Sequence, residues 1–340
     1  MKDIEKKLLN NFQEKDKTLL KKRIMSSVER YKRKRKIKRL YWAAAIAVLI
    51  IVSGAVYKNA QRFDDSYVKL LETTKVGTIK EVQLVLSDDV LTVSKSDSII
   101  VYNNSDNMVL IGNSKTAKNS AIVMNTVVVP YGRHTQLKLA DGTHIWLNAG
   151  SKLVYPSSFS GDKRIVYLEG EAAFDVAHDK QHPFTVKAKN HEIEVLGTVF
   201  NVSCYSDEKA VTTALESGSV RINYESGNIL NTKKSVTITP GTIASYNKDE
   251  KQVSTKEGNV SNYFLWRKGL IVFKNDDMEY ILKRLSRYYN VPIEVRNKDR
   301  FQQTFSGYLD LKTNIEEVLN IISESSTFTY TKQENNIIIE

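Results

Sequence analysis

Glu169 and Glu171 stand two residues apart in the stretch YLEGEAAFDVA. On a strand that spacing puts both carboxylates on one face, the arrangement a general acid and its partner base can use. No third group with a role accompanies them, and the simpler assignment is a solvated strand face. His178 and His182 stand four apart, but Pro183 follows directly and the flanks read as strand and turn. They therefore do not share a helix face as a zinc pair would, and with no cysteine beside them the pattern argues against a metal. No phosphate-binding glycine loop, nucleotide fingerprint or Gly-x-Ser-x-Gly elbow occurs. The sequence predicts neither an enzyme nor a cofactor.

The elements that position these residues are mostly strands. From about residue 80 apolar residues recur at every second position, in VQLVL, LTVSKSDSIIVY, MVLIG and AIVMNTVVV. From Tyr131 to about Tyr246 the alternation continues in short runs separated by turn signals: ADGT at 140–143, SGD at 160–162, ESG at 216–218 and 225–227, and PG at 240–241. Such spacing predicts a sandwich, jelly-roll or solenoid-like β domain. Two stretches, QLVLSDDVLTV at 83–93 and QLKLADGTHIWL at 136–147, align as strand, acidic turn, strand, too few copies to define a repeat architecture. Cys204, the only cysteine, can form no intrachain disulfide and sits in the alternating run VFNVSCY as a small buried hydrophobe.

Near residue 264 the period changes. Strands are expected in GLIVFKN, VPIEVRN, FQQTFSGYLD, FTYTKQ and NIIIE, with helices from Asp276 to Tyr289 and from Asn314 to Ser325. Asp276 or Asn275 can cap the first helix, where Met278, Ile281, Leu282, Leu285 and Tyr288 form the apolar stripe; Ile315, Val318, Leu319 and Ile322 do the same in the second. This βαβ-βαβ pattern describes a small α/β module packing two helices on a sheet.

The N-terminal part has a different character. Residues 1–40 hold 16 Lys/Arg against 5 Asp/Glu, an excess of 11 that equals the formal charge of all 340 residues. Ile4, Leu8 and Phe12, then Leu20, Ile24, Val28 and Tyr31, recur at helical spacing among these charges, reading as two short amphipathic helices that lie on a membrane surface or dock a partner. Leu40 to Tyr57 then contains no Lys, Arg, Asp or Glu and has aromatics at both ends, which reads as one transmembrane helix with the basic side cytoplasmic. Anionic lipid is the nearest partner for that basic run, and direct nucleic-acid binding is not expected. The predicted organisation is a basic segment at 1–39, a transmembrane helix at 40–57, a connector and β region at 58–128, a β domain at 129–246 and the α/β module at 264–340. The fold class is mainly β with an α+β C-terminal module. An outside location with a single cysteine suits a bacterial periplasm.

The pieces LADGTHIWLNAGSKLVYP, LEGEAAFDV, PFTV, VLGTVFNV and SGSVRI within residues 129–222, followed by TPGTIASY and FLWRKGLIVF, closely resemble the FecR-type anti-sigma factors of Bacteroidetes. Residues 266–340 look like the domain that usually ends these proteins, similar in pattern to the secretin and TonB short N-terminal fold. The resemblance implies a relay. An outer-membrane TonB-dependent transporter of the SusC-like kind touches the periplasmic part, and the cytoplasmic segment controls an extracytoplasmic-function sigma factor, commonly for glycan uptake. Family members carry a longer cytoplasmic helical domain than the forty residues present here. In this chain the implied sigma contacts are Leu8, Phe12, Leu20, Ile24 and Val28. Some members of the family cleave themselves at the Gly-Thr of this motif, here Gly197-Thr198, by attack of the threonine hydroxyl on the preceding carbonyl; the alternative is a bulge at Gly197 followed by a strand residue. A second reading is a membrane-anchored glycan-binding module with no sigma factor, for which Trp146, Tyr155 and Tyr167 would have to be exposed on one β face; core packing accounts for the same three residues.

Overall fold

The computed structural model describes residues 4, 17–19, 21–38, 41, 42, 44–54, 76, 79–86, 90–93, 99–103, 108–111, 114–118, 124–188, 191–227, 233–296, 304–324, 328–334 and 336–340. The chain forms two units, Met1–Ser66 and Tyr67–Glu340. In the first, residues 21–38 are helical, as are 41, 42 and 44–54, and every side chain described there is exposed. Among the described residues no helix is long and apolar enough to cross a membrane. Leu40, Ala43 and residues 55–57 of the expected span lie outside the described residues.

The second unit begins with a large β structure. One set of strands, Val82–Val85, Val90–Val93, Met124–Val128, Lys152–Pro156, the first half of Arg164–Asp175, Phe184–Ala188, His191–Val195, Val220–Glu225 and Lys233–Ile238, pairs edge to edge. A second set pairs likewise: Ile99–Asn103, Met108–Ile111, Ser114–Lys118, Thr135–Lys138, His144–Leu147, the second half of Arg164–Asp175, Val199–Cys204, Ala210–Ser217, Thr242–Asn247 and Gln252–Glu257. Side chains of both sets meet in one core, with Leu84, Leu153, Phe184 and Ile193 from the first and Ile100, Ile145, Phe174 and Phe200 from the second. The chain alternates between the two sets a strand or a few at a time and, apart from the Val82–Val93 hairpin and Ile99–Lys118, advances in one direction in each. The fold is thus a two-sided coil, which unites the sandwich and solenoid-like expectations. Period-two alternation drives it, since inward residues come at every second position.

The two stretches matched in sequence are both antiparallel hairpins, pairing Val82–Val85 with Val90–Val93 and Thr135–Lys138 with His144–Leu147. Val82 and Val128 belong to adjacent strands of one core, so the line drawn between 128 and 129 does not coincide with a break in packing. Cys204 is buried in this core, and its thiol donates to the Leu168 carbonyl at 3.4 Å.

A 3-10 helix, Val260–Lys268, leads into the C-terminal module. Its Phe264 and Trp266 pack on Ala173, and its Val260 packs on Ala214 and Ile243, so the segment is fastened to the β structure. Ala173 is small enough for Phe264 and Trp266 to pack directly on the strand. Beyond Gly269 come the strand Leu270–Asp277, helix α1 (Met278–Tyr289), the strands Ile293–Val295 and Thr304–Asp310, helix α2 (Ile315–Glu324), and the strands Tyr330–Gln333 and Asn336–Ile339. The expected single sheet is two sheets: Leu270–Asp277 pairs with Thr304–Asp310, while Asn336–Ile339 lies between Ile293–Val295 and Tyr330–Gln333. Both helices and both sheets share one core, which contains the predicted stripe residues Met278, Ile281, Leu282 and Leu285 and Ile315, Val318, Leu319 and Ile322.

Helix α1 starts two residues later than expected. Asp277 is its cap, its carboxylate accepting from the Tyr280 amide at 2.7 Å. Asp276 still pairs with Phe305 in the sheet, and Asn275 sits at φ 55° in the irregularity between Phe273 and Asp276. The strand runs on to Asp277, which pairs with Thr304 and also caps, so the helix begins only at Met278.

Candidate functional site

The strand Arg164–Asp175 runs through both sheets. Tyr167–Glu169 pair with one set of strands and Gly170–Asp175 with the other. The change occurs at Gly170, with φ +108°, where an added Cβ would lie 2.6 Å from the Ser151 Cα. Ser151 fixes the corner by donating from its hydroxyl to the Glu171 carbonyl at 2.9 Å and accepting from the Glu171 amide at 2.9 Å. A sheet-switching strand needs such a bend, and glycine tolerates it without strain.

This corner separates the fates of Glu169 and Glu171. Glu169 pairs with Lys152 at 3.0 Å. Glu171 is buried, accepting from Asn148 Nδ2 at 2.8 Å and from Asn201 Nδ2 at 3.1 Å, with Arg284 Nη2 at 3.8 Å. The expected solvated strand face is therefore wrong for Glu171, because the 3-10 helix and α1 cover it. Trp266 donates its indole N–H to Asn201 Oδ1 at 3.1 Å. A continuous polar chain, Trp266 to Asn201 to Glu171 to Asn148, thus connects the linking helix to the corner of the β structure.

Helix α1 presents a second row of groups beside that chain: Tyr280, Arg284 and Arg287, at i, i+4 and i+7. Arg287 is 4% exposed. Its guanidinium binds Glu208 Oε1 at 2.5 Å and Asp207 Oδ1 at 2.7 Å and lies 3.7 Å over the Tyr205 ring centre. Its backbone carbonyl accepts from the Gly132 amide at 2.8 Å. Gly132, at φ +74°, has no room for a Cβ beyond 3.1 Å from Asn290, the left-handed residue that ends α1. Lys283 donates to the Asp207 carbonyl at 2.9 Å. Tyr205 in turn donates its hydroxyl to the Ala149 carbonyl at 2.7 Å, and Lys248 donates to the Tyr205 and Glu208 carbonyls, each at 2.6 Å.

The electrostatics are those of a paired, desolvated cluster. Burial alone would lower the pKa of Arg284 and Arg287, but Tyr280 and Glu171 for the first, and Tyr205 and Glu208 for the second, outweigh it and hold both raised. Burial raises Glu208 in spite of Arg287, and raises the Tyr205 phenol well above its usual range. A cavity lined by Asn148, Glu171, Tyr205, Trp266, Arg284 and Arg287 measures about 20 Å³, room for one water molecule and for no organic substrate. The chemistry available here is ion pairing between two parts of one chain.

The remaining predicted residues fall elsewhere. His182 pairs through Nδ1 with Asp179 Oδ2 at 2.8 Å, whereas His178 covers Gly197, whose added Cβ would lie 2.4 Å from His178 Nδ1. Thr198 is 3% exposed and precedes the strand Val199–Cys204; its hydroxyl donates to the Ser219 carbonyl at 3.1 Å. Tyr155 and Tyr167 are buried, and Trp146 lies beneath the Arg267 guanidinium at 4.8 Å. These three do not form the exposed aromatic face a glycan platform requires, because they are packed within the domain. In the ADGT turn, Asp141 accepts from Thr143 Oγ1 and from the buried Arg164, each at 2.7 Å, and Arg164 also donates to the Ala177 and His182 carbonyls. Of the expected sigma contacts, Ile24 is 53% and Val28 40% exposed on the helical stretch 21–38. Leu8, Phe12 and Leu20 lie outside the described residues. Asp207, Glu208, Arg284 and Arg287 are not among the residues the sequence singles out: a polar i, i+4, i+7 row on α1 ordinarily faces solvent, and nothing local marks Asp207 and Glu208 as its partners.

The β structure carrying the corner and the module carrying the arginines are both recognisable. The family described as FecR protein matches residues 125–221, and the family described as FecR, C-terminal matches residues 270–339. Two crystal structures of a candidate anti-sigma factor from Parabacteroides distasonis ATCC 8503 are similar, each at 28% identity and a TM-score of 0.59. They cover 63% and 64% of this chain and 98% of their own. No curated protein matches. The chain carries the FecR domain and the FecR C-terminal domain, and these with the two structures support a FecR-type anti-sigma factor family.

Proposed function

We propose that this protein is a single-pass inner-membrane anti-sigma factor, with its N-terminus cytoplasmic and its FecR and C-terminal domains periplasmic. The FecR pair of domains, in one compact unit, is the observation that carries the sigma-regulator role. The topology rests on sequence: an excess of 11 cations in residues 1–40 directly before an apolar run. In this reading the C-terminal module receives a signal from an outer-membrane TonB-dependent transporter of the SusC-like kind. The basic N-terminal segment holds an extracytoplasmic-function sigma factor through Leu8, Phe12, Leu20, Ile24 and Val28, an apolar helix row docking in a groove. Glycan uptake is the regulon such a relay serves. Against the glycan-binding alternative stand the burial of Tyr155 and Tyr167 and the Arg267 guanidinium over Trp146.

A mild-detergent pull-down of the tagged full-length protein from its own cells tests the reading. Recovery of a sigma factor that disappears when residues 1–40 are deleted, with a transporter retained, is the expected result. Glycan-processing proteins without any sigma factor would replace it with the binding-module reading. For Gly197-Thr198 the proposal is a structural role, with Gly197 small enough to pack under His178. The protein should run as one band on a denaturing gel; two fragments that vanish in Thr198→Ala would instead establish self-cleavage.

A further inference from the structure

The C-terminal module touches the β structure in two chemically different ways. The 3-10 helix is held by apolar clusters with Ala173, Ala214 and Ile243. The module beyond Gly269 has its own core, and no apolar cluster among the described residues joins that core to the β structure. Among the described residues the contacts that join them centre on the row on α1: Arg287 with Asp207 and Glu208 and over the Tyr205 ring, Arg284 with Glu171, Lys283 with the Asp207 carbonyl, and the Gly132 amide with the Arg287 carbonyl. Buried ion pairs contribute little net stability while intact, because desolvation offsets their attraction, yet lose much when one partner is removed. Polar contacts of this kind permit relative domain motion where a shared apolar core forbids it. Gly269, at φ +74°, is the single residue between the fastened segment and the free module.

We infer that Arg287 and Arg284 form a latch between the module and the β structure, that the module swings about Gly269 when the latch opens, and that this opening is how it passes its signal inward. The last clause rests on the proposed function; the latch itself does not. A partner that binds α1, or the acidic pair Asp207 and Glu208, would compete directly with the closed state. The polar chain from Trp266 to Glu171 adjoins the latch, so opening exposes the corner at Gly170 to a change in its own pairing.

Hydrogen exchange on the full-length protein tests this, because the Gly132 amide bonds across the junction and reports its opening directly. In Arg287→Ala, exchange at Gly132 and at 205–208 should rise on the order of a hundredfold, as expected for breaking a buried pair, while Ile337–Ile339 in the module's core stay protected. Arg287→Lys, which keeps the charge but loses the two-pronged contact, should fall between. Unchanged exchange at Gly132 would overturn the latch. If Arg287→Ala instead exposes Ile337–Ile339 equally, Glu208→Gln carries the same readout, and a protected Gly132 there overturns the latch as well. In cells, sigma-dependent transcription should shift in Arg287→Ala in the same direction as on deletion of residues 270–340. A junction shown open by exchange, with transcription responding to the deletion but not to Arg287→Ala, overturns the signalling half alone. Absence of any sigma factor from the pull-down overturns the proposed function and leaves the exchange result standing.

Discussion

Gly170 shows how one residue sets the geometry of a site. Its φ of +108° turns the strand from one sheet to the other, and Ser151 fills the space a side chain would need. Gly170→Ala should destabilise the protein by about 2–4 kcal/mol, from strain at positive φ together with overpacking against Ser151. Urea denaturation would measure it; a loss under about 0.5 kcal/mol, the range of ordinary surface changes, would show that the corner relaxes freely. His191 makes a second prediction at this scale. It is 5% exposed and lies 5.2 Å from the Tyr246 ring, and burial, aided by the Lys248 charge, lowers its pKa from 6.5 to about 4. The unfolded chain therefore takes up the proton first. The stability this group contributes is complete above pH 6.5 and is lost as the pH falls through about 4, amounting to ~3 kcal/mol. The fall in melting temperature between pH 7 and pH 4 should be distinctly smaller in His191→Gln than in the wild type; equal falls would place the titration elsewhere. Little of this was legible in sequence. Glu169 and Glu171 looked equivalent because a two-residue spacing implies one face, and only the bend at Gly170 gives them different neighbours. Alternation with Ile193 and Val195 puts His191 on the inward face, but the Tyr246 and Lys248 beside it come from far along the chain and leave no local sign of how deeply it is desolvated.

Helix α1 divides cleanly into a legible face and an illegible one. The apolar stripe Met278, Ile281, Leu282 and Leu285 was read from its spacing, and all four are buried in the module core. Leu282→Ala should cost about 2–5 kcal/mol, the range for truncating a buried leucine, and the loss should appear in the transition of the module. Asp277→Ala should cost ~1 kcal/mol through the lost cap on the Tyr280 amide. If Asp276→Ala costs more than Asp277→Ala in thermal unfolding, the cap is misassigned. The Tyr280, Arg284 and Arg287 row was not read, because charged residues at helical spacing ordinarily face solvent. Their burial depends on Asp207, Glu208 and Glu171, about 80 to 110 residues earlier in the chain, and no local pattern announces a partner at that separation. The strands were legible for the opposite reason: alternation is local, and it holds from Val82 to Tyr246.

At the scale of the whole molecule, the two cores have a thermodynamic consequence. One runs through the β structure and the other through the C-terminal module, and among the described residues they share no apolar cluster. Cooperative unfolding as a single unit requires an interface whose loss costs either part much of its stability. Here that interface is a set of polar contacts centred on the buried Arg287–Glu208 pair, with Asp207 half exposed, so the parts should melt in two steps by calorimetry. Arg287→Ala should move the module's step and leave the other nearly in place. Truncation after Lys268 keeps the 3-10 helix, whose Phe264 and Trp266 complete the β structure, and should preserve the β transition to within a few degrees. Glu171 would then keep Asn148 and Asn201 while losing Arg284, a modest loss because the pair stands at 3.8 Å. A truncated chain that fails to fold, or a full-length protein with one transition that Arg287→Ala shifts as a whole, would show that the ion pairs fuse the parts into one cooperative unit. A latch could not then open without unfolding the domain it is meant to signal through.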